Sequence, residues 1–131
     1  MNSAPPTILV IDDESHMRRL LQFSLAKTGA KLLLAAGGAE GVERARAERV
    51  DLVVVDFAMQ GMDGFATIRE LRKNPAFGKV PVIMLTSRGQ TDLRTAAEGA
   101  GIDAFLTKPF SPLELTREVN RLLGRNSAPA A

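Results

Sequence analysis

Acidic side chains stand together at Asp12, Asp13 and Glu14, directly after the apolar run Ile8–Ile11, and again at Asp56, directly after Leu52–Val55. Hydroxyls follow a third run, Val82–Leu85, at Thr86 and Ser87, and a cation follows a shorter one, Ala104–Leu106, in Thr107-Lys108-Pro109. Folding does not require a run of Val, Leu or Ile to end abruptly in Asp. Carboxylates held close together repel, so one of them has a raised pKa unless a cation joins them. Oxygen donors with no His or Cys beside them suit a hard ion, Mg²⁺ above all. Any one of these aspartates alone reads equally well as a turn residue or helix cap. The whole set, joined by a lysine and a hydroxyl at matching places, does not.

Those places are the ends of predicted strands. Ile8–Ile11, Leu32–Leu34, Leu52–Val55, Val82–Leu85 and Ala104–Leu106 are apolar without in/out alternation, the mark of strands covered on both faces of a parallel sheet. They recur at roughly 20–25 residues, the length of a strand plus a crossover helix. Between them lie stripes at helical spacing: Met17, Leu20, Leu21 and Leu25; Val42 and Ala45; Phe65, Ile68 and Leu71; Leu93, Ala96, Ala97 and Ala100; Leu115, Val119, Leu122 and Leu123. Gly29, Pro75, Gly99, Gly101 and Gly124 mark helix stops, and Ser111-Pro112 is a cap followed by a first-turn proline. The pattern predicts an α/β fold, (βα) repeated five times as a doubly wound open sheet. Such sheets bind ligands at the carboxyl ends of their strands.

Composition excludes several alternatives. With 131 residues, 45% hydrophobic and 24% charged, the chain suits one globular domain and not a fibrous or disordered polymer. The absence of Cys removes disulfide scaffolds, thiolate metal sites and thiol nucleophiles. No apolar run approaches the ~20 residues that span a bilayer, and the N-terminus lacks a secretory pattern, so a cytoplasmic location with no membrane contact is expected. Seventeen basic residues oppose 15 acidic ones, without basic runs, and the aromatics are six Phe with no Trp or Tyr. That is a poor set for stacking bases, and no direct contact with nucleic acid is expected. Residues 1–6 and 125–131 read as disordered ends flanking a domain at 7–124, the second alternatively as the stub of a linker. Gly37–Gly41 lacks phosphate-loop spacing and reads as a turn and helix start, and His16 as a surface residue.

Ile11-Asp12-Asp13-Glu14, Val55-Asp56, Met62-Asp63-Gly64, Leu85-Thr86-Ser87 and Thr107-Lys108-Pro109-Phe110, in this order, resemble the receiver domain of two-component response regulators, closest to the single-domain chemotaxis type. The resemblance covers residues 7 to 124 and implies a flavodoxin-like sheet of strand order 2-1-3-4-5. It implies that Asp56 accepts a phosphoryl group from a sensor histidine kinase or histidine phosphotransfer protein. It places Mg²⁺ on Asp13, Asp56 and the main-chain carbonyl of Ala58, with Asp12 acting mainly through water. Lys108 and Thr86 would contact phosphoryl oxygens, and the bond before Pro109 would be cis, aiming the lysine at the site.

The resemblance also implies a switch. Thr86 moves toward the phosphoryl group, Phe105 turns inward, and the face made by the fourth helical segment, the fifth strand and the fifth helical segment changes its affinity for a downstream target. Many relatives carry Tyr at the Phe105 position, so coupling here would rest on packing. Relatives often have Pro where this chain has Gln60, which implies a looser loop. Ala58 and Arg88 occupy positions that tune phosphoryl lifetime. The expected protein is a signalling switch and not a turnover enzyme, a monomer or a weak phosphorylation-dependent dimer. The alternatives are a receiver fragment of a larger multidomain regulator or hybrid kinase, and a Mg²⁺-dependent aspartyl-phosphate phosphatase.

Overall fold

The apolar runs become strands because both of their faces are covered. In the computed structural model, which describes residues 5–87 and 101–124, the elements are β1 (Thr7–Ile11), α1 (Ser15–Ala26), β2 (Lys31–Ala35), α2 (Gly38–Ala47), β3 (Leu52–Asp56), α3 (Gly64–Arg72), a 3₁₀ turn (Pro75–Phe77), β4 (Val82–Thr86), β5 (Ala104–Thr107) and α4 (Pro112–Leu122). The strands form one parallel sheet in the order β2-β1-β3-β4-β5. This is the doubly wound order expected from the resemblance. The fourth helical stripe, Leu93–Ala100, lies outside the described residues with Gly99 and Arg88. The fifth stripe lies on α4.

Strand pleating sends alternate residues into two cores. Leu9, Ile11, Val53, Val55 and Met84 pack with Phe65, Ile68 and Leu71 of α3 on one face. Ile8, Val10, Leu52, Val54, Ile83 and Leu85 pack with Leu21 and Leu25 of α1 and Leu115 and Val119 of α4 on the other. Each large side chain removed from water in this way contributes roughly 1.5–3 kcal/mol.

The helix ends follow their local chemistry. Ser111 and Glu114 form a reciprocal capping box at α4, Asp63 caps α3 through Ala66 N–H, and Gly29, Gly101 and Gly124 take positive φ after helices or before β5. The α1 stripe needs a correction. Leu20 is 42% exposed, because it stands about 100° around the helix from Leu21, whereas Met17, Ser24 and Leu25 flank Leu21 on the covered side. Pro6, grouped with the N-terminal tail by composition, accepts a hydrogen bond from Lys31 N–H at 2.8 Å. Among the described residues no helix is long and apolar enough to cross a membrane.

Candidate functional site

Strand register brings the acidic residues together. Ile11 pairs with Val55, so the next residues, Asp12 and Asp56, emerge side by side at the carboxyl edge of β1 and β3. On the other side of β3, Asp56 pairs with Leu85, and Thr86 pairs with Thr107. Lys108 then follows at the end of β5. Adjacent strands are ~4.8 Å apart, so β3 and β5 lie about 10 Å apart across β4, a gap an extended lysine side chain can bridge.

Lys108 Nζ bridges it, lying 2.9 Å from Asp56 Oδ1 and 3.7 Å from Asp12 Oδ2. Asp12 and Asp56 are buried, whereas Asp13 is exposed at the rim. Asp12, Asp13 and Asp56 each offer an oxygen within 4.8 Å of the others. Asp12 Oδ1 accepts from Glu14 N–H at 2.9 Å, and Asp13 Oδ2 accepts from Gln60 N–H at 3.0 Å. Asp12 Oδ2 is buried without a hydrogen-bond partner. Lys108 Nζ, at 3.7 Å, stands beyond hydrogen-bond reach of this oxygen and offsets its desolvation only in part. An orphaned buried oxygen inside an all-oxygen cluster of three carboxylates fits a hard divalent cation.

The electrostatics follow from burial. Desolvation pushes the Asp12 carboxyl up from 3.8 to about 6, aided by the Asp56 charge and opposed by Glu14 N–H and by Lys108. Asp56 is likewise raised, first by burial and then by Asp13 and Glu14, against the pull of Lys108. Burial pushes Lys108 down, but the hydrogen bond to Asp56 and the charges of Asp56, Asp12 and Glu14 outweigh it, so its pKa rises.

The other residues singled out from the sequence stand around this cluster. Thr86 is buried at the end of β4, and its carbonyl accepts from Lys108 N–H at 2.7 Å. The Lys108–Pro109 bond is cis. Ala58 is exposed in the loop after β3, and Phe105 is half-buried, paired with Met84 in the sheet and packed on the same core. His16 is exposed on α1. Three contacts had no role in the sequence reading. Arg18 Nη1 donates to the Asp12 carbonyl at 2.7 Å, Gln60 N–H holds Asp13, and Gly64 seats α3 against the main chain of Asp56. Of these, Gly64 lies in a motif already quoted. A main-chain donor such as Gln60 N–H leaves no mark in side-chain identities.

A parallel five-stranded sheet with an acidic cluster and a lysine at its carboxyl edge defines a doubly wound α/β protein with a charged site where such sheets bind their ligands. Within that class the comparisons are specific: the family described as "Response regulator receiver domain" matches residues 8–120, and the chain belongs to it. The chain is 38% identical over 120 residues to the transcriptional regulatory protein ResD of Bacillus subtilis, covering 92% of this chain and 49% of ResD. Chemotaxis protein CheY4 of Vibrio cholerae superposes with a TM-score of 0.87 at 27% identity, covering 91% of this chain and 99% of that one. The receiver domain of the sensor histidine kinase PA1611 of Pseudomonas aeruginosa, whose crystal structure has a magnesium ion coordinated in the active site cleft, superposes with a TM-score of 0.83 at 30% identity over 92% of this chain and 99% of that one. The chain spans about half the length of the curated relatives it matches.

Proposed function

We propose that this chain is a phosphorylation-driven switch whose acceptor is Asp56. In this reading an Asp56 carboxylate oxygen attacks the phosphorus of a phosphohistidine on a partner kinase or phosphotransfer protein. The P–N bond breaks and an acyl phosphate forms on Asp56. The incoming group carries nearly two negative charges and the acceptor is itself an anion, so the encounter needs fixed positive charge. Lys108, 2.9 Å from Asp56, supplies one such charge, and this pairing is the observation that carries the reading. Asp13 and Asp56, with the Ala58 carbonyl and with Asp12 acting mainly through water, would hold Mg²⁺. When bound, the ion supplies the remaining charge compensation. Thr86, at the neighbouring strand end, would donate its hydroxyl to a phosphoryl oxygen once the group has arrived.

The output would be a changed protein-binding face at β5 and α4, with the stretch 93–100 that the sequence predicts to be helical but that lies outside the described residues, offered to a downstream target by a monomer or a weak dimer in the cytoplasm. Sheet register supports the coupling. Phe105 pairs with Met84, two residues before Thr86, so Thr86 and Phe105 share a face of the sheet. A second reading rests on length. The curated relatives are about twice as long and are named as transcriptional regulators, and in that reading these residues act on an attached domain. The mass of the native protein in cell extract separates the two. The acceptor assignment is tested with Asp56→Asn: a small acyl-phosphate donor with Mg²⁺ labels the wild type toward one phosphoryl group per chain and leaves the variant unlabelled. Full labelling of the variant refutes the assignment.

A further inference from the structure

The loop after the acceptor strand carries Gln60 at the position where the resemblance implies proline. The resemblance implied that this loop would be looser, yet the structure ties it down at both its base and its tip. At the base, Gly64 N–H donates to the Phe57 carbonyl at 2.8 Å, closing residues 57–64 into a ring of chain directly beyond Asp56. Asp63 anchors the closure to α3, accepting from Ala66 N–H on its side chain and from Thr67 Oγ1 on its carbonyl, both at 2.8 Å. The closure depends on the missing side chain at position 64. A Cβ there would lie 2.8 Å from the Asp56 carbonyl oxygen and 2.9 Å from Phe57 Cα, both main-chain atoms that cannot rotate away. Ordinary carbon contacts need roughly 3.5–4.0 Å. At the tip, with Gly61 at φ +79°, the Gln60 N–H points back across the site to Asp13 Oδ2 at 3.0 Å.

We propose that the main-chain N–H of Gln60 is a positioning donor for Asp13, holding the exposed carboxylate of the cluster in the orientation that receives the divalent ion. The inference rests on the reading of Asp13 as a metal ligand. It assigns to this chain an anchor that proline at position 60 cannot provide, because proline has no N–H. Asp12 and Asp56 are held by burial and by Lys108. Asp13 stands at the rim, where its rotamer is free unless something fixes it. Hydrogen bonds to a ligating carboxylate typically change metal affinity by 10–100-fold.

The donor belongs to the backbone, so side-chain and main-chain effects separate cleanly. Gln60→Ala keeps the N–H and is expected to bind Mg²⁺ within about twofold of the wild type, whereas Gln60→Pro removes the N–H and weakens binding about tenfold, read by calorimetry. A second readout needs no metal. The Gln60 amide of the metal-free protein exchanges with solvent slowly in the wild type and about tenfold faster in Asp13→Ala. Should the proline variant fail to fold, the exchange of the Gln60 amide in the wild type and in Asp13→Ala serves alone. Leu71→Ala, buried on the same helix away from the loop, controls for general destabilisation and keeps wild-type Mg²⁺ affinity. The proposal is overturned if Gln60→Pro binds Mg²⁺ like the wild type, if Gln60→Ala weakens binding as much as Gln60→Pro, or if the Gln60 amide is unprotected in the wild type. If Asp13→Asn leaves Mg²⁺ affinity unchanged, the ligand reading itself fails. If Asp13→Asn weakens binding and Gln60→Pro does not, only the positioning role fails.

Discussion

Lys108 Nζ sits 2.9 Å from Asp56 Oδ1 although their strands are not neighbours: β4 runs between β3 and β5, and the lysine reaches back over its end. The ammonium thus spans the carboxyl edge of the sheet and also stands 3.7 Å from Asp12. It compensates two buried carboxylates at once.

Removing that cation separates its electrostatic role from metal binding. Lys108→Ala is expected to slow labelling of Asp56 by at least about tenfold, a loss of roughly 1.4 kcal/mol or more in the transition state. Mg²⁺ affinity, measured by calorimetry, should hold or rise, because the carboxylates lose a competing cation. A variant that labels at the wild-type rate would show that the pairing in the resting protein has no part in phosphoryl transfer.

Asp12 makes stability depend on pH with a defined sign. Its folded pKa of about 6 lies above the ordinary 3.8, so between these values the folded protein retains a proton that the unfolded chain has released. Stability contributed by this group therefore falls as pH rises from about 4 to about 6, by on the order of 2–3 kcal/mol, and stays low above that. Denaturation of the metal-free protein with and without Asp12→Asn checks this. The stability difference between variant and wild type should grow in the variant's favour across that window. Mg²⁺ should raise the melting temperature of the wild type more at pH 7.5 than at pH 5, since protons and metal compete for the same oxygens. A difference that is flat with pH would contradict the account.

Thr86 and Phe105 share one face of the sheet, and phosphorylation is expected to be felt through that pair. Thr86→Val preserves shape and removes the hydroxyl. Asp56 should still be labelled, but the phosphorylation-induced change in hydrogen exchange across residues 104–107 and 112–122 should be lost. Phe105→Ala, at a half-buried position, should lower stability by about 2 kcal/mol and abolish the same change. Retention of the full exchange response in both variants would leave the switch to other residues.

Arg72 has no part in the site, yet it ties three segments together. Its guanidinium donates to the carbonyls of Phe77, Val80 and Gly101, joining the end of α3 to the approach to β4 and to the residues before β5. Arg72→Ala is expected to destabilise the fold by about 2 kcal/mol by leaving these carbonyls without the donor. Labelling of Asp56 should be nearly unchanged. An unaltered melting temperature would show that water replaces the guanidinium without loss.

Much of the architecture was legible because its signals are local. Unalternated apolar runs announce strands covered on both faces, and Ser111-Pro112 announces the start of α4 before any contact is known. The misreading of Leu20 shows the limit of such signals. A helical stripe gives a face about 100° wide, and a leucine on its flank is covered only if a neighbour reaches it.

The candidate site divides along the same line. Residue types at strand ends selected Asp12, Asp13, Asp56, Thr86 and Lys108 from the sequence alone, since carboxylates, a hydroxyl and a lysine gathered at the ends of four apolar runs exceed what turns and helix caps need. Tertiary structure decided the register that sets Asp12 beside Asp56, the reach of Lys108 over β4, the orphaned Asp12 Oδ2, and the Gln60 N–H that meets Asp13. The physical reason is that local sequence specifies which group a position carries, whereas hydrogen bonds and charge pairs depend on distances between segments far apart in the chain. Main-chain donors in particular are the same at every non-proline residue, so only the folded backbone reveals which of them is aimed at a carboxylate.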